Sequence, residues 1–177
     1  MKYMAASDIH GNAYYCEKLM DAFEKEGANK LLIAGDLAAY SSWGVSNNEG
    51  LFVHDILNQY AQDIICVSGN CDDPEEQVDY DFDMREILKV VSFEDKKIYL
   101  THGHIYNPSN PPKMEKGSIL LCGHSHIPAY EEYKDYIYLN PGSVSKPRRG
   151  SWHGYLLLTE NEFIWKDLDG NIMHKIP

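Results

Sequence analysis

Apolar residues occur along this chain in two spacings. Met1–Ser7 reads as a short buried strand stopping at Asp8. Leu31-Leu32-Ile33-Ala34 and Ile64-Ile65-Cys66-Val67 are continuous apolar runs ending at Gly35-Asp36 and Gly69-Asn70. Runs of this kind suit strands covered on both faces. Between them, Cys16, Met20 and Phe23 recur at helical spacing, with Asn12 as N-cap and Gly27 as stop. Phe52, Ile56 and Tyr60 mark a second amphipathic helix. Strand, helix, strand, helix, strand predicts a parallel sheet with right-handed crossovers.

After about residue 84 the pattern changes. Ile87–Phe93 and Lys97–Thr101, joined by Glu94-Asp95-Lys96, read as a hairpin. Short strands follow at Ser118–Cys122, Ala129–Tyr133, Tyr136–Leu139, Tyr155–Thr159 and Phe163–Leu168. Asp169-Gly170 then turns into a last strand, Ile172–Ile176. The expectation is one α/β domain, 1–177, in which a parallel half joins an antiparallel half. Residues 72–83 hold seven acids and no base and read as a solvated connection.

Composition narrows the classes. The chain has 177 residues, 44% hydrophobic and 24% charged, with a formal charge of −11. These values fit a globular domain and argue against a binder of nucleic-acid duplexes, which needs a basic footprint. No apolar run is long enough to span a membrane. Motif residues from Asp8 onward are expected to leave no room for a leader. Cys16, Cys66, Cys71 and Cys122 form no CxxC pair, so a reducing cytoplasm is the expected location.

Polar residues gather just past the strand ends, where α/β sheets bind ligands. In order they are Ser-Asp-Ile-His-Gly-Asn from Ser7, Gly-Asp-Leu from Gly35, and Gly-Asn-Cys-Asp from Gly69. Thr-His-Gly-His follows from Thr101 and Gly-His-Ser-His from Gly123. Each motif alone is weak. Five in order, each ending a strand, point to a metal centre. Cys16, Cys66 and Cys122 fall in apolar patterns and are expected in the core. His54, His153 and His174 match no motif and are expected at the surface. Lys146, Arg148 and Arg149 form the one dense basic cluster and read as a solvated loop.

With these motifs the chain resembles the calcineurin-like metallophosphoesterases, whose fingerprint is D-x-H, G-D, G-N-[HC]-[DE], H and G-H-x-H. More narrowly it is similar to the small bacterial YfcE-type phosphodiesterases. These share Gly-Asn-Cys-Asp, Leu-Thr-His-Gly-His and the later Asn-Pro-Gly-Ser-Val-Ser, here Asn140 to Ser145. The likeness runs from Met1 to about Thr159. It implies a four-layer sandwich of two mixed β-sheets flanked by helices. It further implies two divalent ions, one held by Asp8, His10 and His126, the other by Asn70, His102 and His124, with Asp36 as the bridge. Mixed oxygen and imidazole donors suit Mn²⁺, to which the family leans, with Fe, Ni²⁺ and Zn²⁺ as alternatives.

The implied activity is hydrolysis of a small phosphate diester by attack of a metal-bridging hydroxide, with no protein nucleophile. Two divalent ions also explain how an acidic protein accepts an anion. Asp36, Asn70, Cys71, Asp72, His102 and His104 are the residues expected to serve catalysis. Many members of the superfamily have His where this chain has Cys71, so Cys71 is either a weak acid for the leaving oxygen or a small spacer. Asp72 is expected to orient a neighbour, His104 to touch substrate or support a ligand, and Asn12 either to cap its helix or to touch substrate. The alternatives are a phosphomonoesterase or nucleotide pyrophosphohydrolase, or a non-catalytic scaffold like the retromer subunit of this fold. Relatives often form dimers or tetramers, which implies a homo-oligomer. The loop Leu37–Gly50, with Tyr40 and Trp43, is expected to shape the pocket.

Overall fold

A computed structural model describes residues 1–38 and 44–177. Tyr40 and Trp43 lie outside the described residues. The first three apolar runs are strands β1 (Lys2–Ala6), β2 (Lys30–Ile33) and β3 (Ile64–Cys66), paired in parallel. The helix between β1 and β2, α1 (Ala13–Glu26), starts where the Asn12 side chain accepts the Tyr15 N–H. It stops at Gly27, whose left-handed backbone lets its N–H reach Glu24 O. Asn12 is thus a helix cap. The second helix, α2 (Val53–Asn58), is shorter than the Phe52–Tyr60 pattern suggests, and Tyr60 falls beyond it.

Strands β4 (Leu88–Phe93) and β5 (Lys96–Thr101) form the expected hairpin, with a turn at Glu94-Asp95 and Glu94 at φ +51°. Next come β6 (Ser118–Leu121), β7 (Ala129–Glu132), β8 (Tyr136–Asn140), β9 (Gly154–Thr159), β10 (Phe163–Asp167) and β11 (Ile172–Ile176). The halves do not separate into parallel and antiparallel. One sheet runs β11-β10-β9-β1-β2-β3 and the other β4-β5-β6-β8-β7. Strand β9 returns antiparallel to β1, while β6 is parallel to both β5 and β8. Sixteen residues separate β5 from β6, enough chain for the crossover that a parallel pair requires.

Alternation along the strands builds the layers. On one face of the first sheet, Met4, Leu31, Ile33 and Leu157 pack against Leu19 and Phe23 of α1 and Leu57 of α2. On the other, Ala5, Leu32 and Leu156 meet Ile98, Leu100 and Leu121 of the second sheet. The outer face of the second sheet, with Tyr99, Leu120 and Tyr138, is covered at Met114 by the chain between β5 and β6. Pro108, Pro111 and Pro112 keep that stretch irregular, so among the described residues no α-helix forms this outermost layer. Residues 72–83 are only partly solvated. A 3-10 helix (Pro74–Asp79) holds exposed acids, whereas Asp72, Tyr80 and Phe82, like the following Met84, turn inward. Among the described residues no helix is long and apolar enough to cross a membrane.

Half-buried Glu26 ties α1 to the first sheet, accepting Lys166 Nζ at 2.6 Å and the Tyr155 hydroxyl at 3.0 Å. Burial alone raises this carboxyl, but the two donors outweigh it and hold it below the usual carboxylate range. A depressed carboxyl stabilises the fold above its unfolded pKa, and that contribution is lost as the pH falls through the folded value. Glu26→Gln is expected to cost about 1–2 kcal/mol at neutral pH. Its melting temperature should approach that of the parent as the pH falls below the ordinary carboxylate range. An equal deficit at all pH values in thermal melts counts against this account.

Candidate metal centre

The five motifs meet at one edge of the sandwich. Asp8 and His10 follow β1, Asp36 follows β2, Asn70 follows β3, His102 follows β5, and His124 and His126 follow β6. Asp8, His10 and His126 each place a donor atom within 4.8 Å of the others, and so do Asp8, Asp36 and His102. Asp8, Asp36, His102 and His126 are all buried. Five of these residues have left-handed backbone, with φ of +59° at Asp8, +49° at His10, +53° at Asp36, +65° at His124 and +61° at His126. Side-chain-bearing residues rarely accept that region, and such strain clusters at functional sites.

The rings of His102 and His126 are turned so that, when neutral, they present lone pairs rather than protons inward. His102 Nδ1 donates to Ala34 O at 2.7 Å, and His126 Nδ1 donates to Lys146 O at 2.7 Å. In the neutral ring Nε2 is then the acceptor. His102 Nε2 lies 3.0 Å from Asn70 Oδ1, 3.2 Å from His124 Nδ1 and 3.3 Å from Asp36 Oδ2. His126 Nε2 lies 3.3 Å from His10 Nε2 and 3.2 Å from Asp8 Oδ1. Asp8 Oδ1 is buried and has no hydrogen-bond donor among the described residues. Acceptors converging on acceptors with an orphaned carboxylate oxygen fit a divalent cation.

The electrostatics agree. Burial lowers the pKa of His126 and of His124, which keeps both available as neutral donors. Burial also disfavours charge on His102, but the Asp36 and Asp8 carboxylates outweigh it, so this position calls for positive charge. For Asp36, burial works against ionisation. The His102 ring and the Cys71 N–H, at 2.8 Å from Oδ1, reverse that and hold the carboxyl well below its usual range.

The calcineurin-like phosphoesterase superfamily domain matches residues 1–162. The chain belongs to this superfamily. Phosphodiesterase YfcE of Escherichia coli (strain K12) is 35% identical over 161 residues, 89% of this chain and 87% of its own. A solved structure of the E. coli phosphoesterase Yfce superposes with a TM-score of 0.89 at 32% identity, over 99% of this chain and 98% of the other. The probable metallophosphoesterase YsnB of Bacillus subtilis (strain 168) is 32% identical over 117 residues, 62% of each chain. Vps29 of Entamoeba histolytica, solved in complex with Zn²⁺, shares the fold at 20% identity and a TM-score of 0.67.

Around the candidate ligands, backbone and side chains lock the loops together. Asp72 accepts the N–H groups of Gly69 at 2.7 Å, Asp36 at 2.8 Å and Ala38 at 3.0 Å. Burial raises its carboxyl. A Cβ on Gly69 would collide with the Asp36 carboxylate, and one on Gly123 with Ser7, so only glycine permits these loops to touch. Asp72→Ala strands three buried N–H groups and is expected to cost about 3 kcal/mol or more, at roughly 1–3 kcal/mol per group. Chemical denaturation measures it, and a loss under about 1 kcal/mol contradicts the role.

The Asn140–Ser145 motif is a second lock. Asn140 Nδ2 donates to Gly123 O at 2.7 Å, and the Ser143 hydroxyl donates to Asp8 O at 2.9 Å. Nothing in the sequence of this motif reveals which loops it joins. Cys71 is half-buried beside Asp36, with Asn70 Nδ2 donating to its sulfur at 3.3 Å. The His104 ring is 5.3 Å from that of His102, and its Nδ1 is buried without a partner among the described residues. Lys146, Arg148 and Arg149 are exposed, but their loop is pinned to His126. Two histidines depart from the surface assignment. His153 stacks on Tyr15 at 4.1 Å and donates to Val144 O, and His54 is half-buried between Phe52 and Tyr80. His174 is exposed and Cys16, Cys66 and Cys122 are buried, as expected.

Proposed function

We propose that the chain is a dinuclear phosphodiesterase acting on a small phosphate diester. Asp8, His10 and His126 would hold one divalent ion, Asn70, His102 and His124 the other, and Asp36 both, with Mn²⁺ as the preferred metal. The observation that carries this reading is the orphaned Asp8 Oδ1 amid inward-facing ring nitrogens. Bound ions of this kind supply Lewis acidity and lower the pKa of water at neutral pH.

The chain's own residues do the rest. Ala34 O and Lys146 O fix the tautomers of His102 and His126. Asp72 holds the Asp36 and Asn70 loops at fixed separation. Cys71 beside Asp36 offers a thiol proton to the departing oxygen, and His104 lies next to the ligand rings for substrate contact. The E. coli relative named a phosphodiesterase supports the diester assignment. The net charge of −11 gives no reason to expect a nucleic-acid duplex as substrate.

Elemental analysis after Mn²⁺ loading should approach two ions per chain. A hydrolysis screen should then favour an aryl diester over an aryl monoester, because a monoester dianion brings one more negative charge to an acidic protein. Preference for the monoester or for nucleotide pyrophosphates replaces this reading with the corresponding phosphatase. No metal uptake and no turnover leave the scaffold.

A further inference from the structure

We propose that Cys71 is a ligand for thiophilic divalent ions, so that the metal present decides whether this residue is a proton donor or a metal donor. The proposal rests on the dinuclear reading and adds a sulfur to it. Donor atoms of His10, Asp36 and Cys71 all lie within 4.8 Å of one another, a spacing that a small side-chain rotation closes onto one ion. A separate observation marks the same corner as suited to a cation. Asp8 Oδ1, fully buried and without a donor among the described residues, lies 3.5 Å from the His10 Nε2 of that group.

The sulfur is also held in place. Cys71 N–H donates to Asp36 Oδ1 at 2.8 Å, and Asn70 Nδ2 donates to Sγ at 3.3 Å. The other three cysteines are buried in apolar layers, where burial pushes the Cys122 thiol up to about 12. Cys71 alone of the four is half-buried.

Oxygen and imidazole donors discriminate weakly among first-row divalent ions, whereas a thiolate favours Zn²⁺, Co²⁺ or Cd²⁺ over Mn²⁺. On binding, the S–H bond breaks, a sulfur–metal bond forms and the proton passes to solvent. The sulfur then has no proton for a leaving oxygen and adds one negative charge where an anion must bind. A hard ion leaves the thiol intact.

Titration of the metal-free full chain with Co²⁺ separates the two layers of inference. Visible d–d bands report an ion among the oxygen and nitrogen donors, and a near-ultraviolet sulfur-to-cobalt charge-transfer band reports Cys71. The wild type should give both, and Cys71→Ser the d–d bands alone. Cd²⁺ affinity should fall at least ~10-fold in this variant with little change for Mn²⁺. Alkylation of wild-type Cys71 by iodoacetamide should be slowed by Cd²⁺ and not by Mn²⁺, a readout that needs no variant. Wild-type d–d bands without charge transfer, or a charge-transfer band that survives in Cys71→Ser, overturn the sulfur ligand and leave the dinuclear reading standing. Absence of any d–d band overturns both.

Discussion

Asp36→Asn should abolish turnover while leaving the chain folded. The substitution keeps the shape of the side chain, and its remaining carbonyl oxygen can still accept the Cys71 N–H that Asp36 Oδ1 accepts at 2.8 Å. It removes the negative charge that faces His102 Nε2 at 3.3 Å and His10 Nε2 at 3.7 Å. An ion bridge depends on that charge, so metal content should fall from two ions per chain toward one. The loss in kcat/KM should exceed the ~10–100-fold seen when a partner outside the ligand set is changed. The apolar layers on both faces of the first sheet do not involve Asp36, so circular dichroism of the metal-free variant should match the parent. Near-normal activity in this variant is incompatible with a shared carboxylate.

Cys71→His should gain activity selectively. A thiol has a reference pKa of about 8.5 against about 6.5 for imidazole, so the parent protonates a departing alkoxide poorly at neutral pH. An aryloxide leaves with little help and should respond little to the change. Alkoxide-like leaving groups, as in a cyclic nucleotide, should gain by up to the ~10²–10⁴-fold range of general acid catalysis. Measuring kcat/KM for an aryl diester and a cyclic nucleotide in both proteins tests this. Equal gains on both substrates show that position 71 acts through packing rather than proton donation.

The central strands were legible in the sequence because both of their faces are buried. In β2, Leu31 and Ile33 face the helices and Leu32 faces the other sheet, so an unbroken apolar run is the only pattern that fills both layers. Sheet membership was not legible. The apolar run in β9 says that both of its faces are covered, but nothing in Tyr155–Thr159 says that it returns to β1 across most of the chain. The gathering of the candidate ligands was legible because chemistry restricts metal donors to few residue types and the strand ends carry them. The locks were less so. Asp72 was visible as part of a motif, but three amides converging on it from two loops is tertiary information. The inward turn of Tyr80 and Phe82 was masked by the acids that alternate with them.

The seven candidate ligands are divided between the sheets. Asp8, His10, Asp36 and Asn70 follow strands of one, and His102, His124 and His126 follow strands of the other. Elsewhere the sheets meet mostly through apolar side chains, which resist separation but tolerate sliding, with Tyr3 Oη donating to Ser92 O and Trp165 Nε1 to Asn140 O between them. An ion shared between the two sets would be a clasp at one end of that interface, acting on shear as well as on separation. Occupancy would then couple to folding by mass action, adding about 2.7 kcal/mol at a hundredfold excess over the dissociation constant. Protection from hydrogen exchange would be greatest at the clasped end of β1, β2, β5 and β6, grading the sandwich from a stiff functional edge to a looser opposite rim.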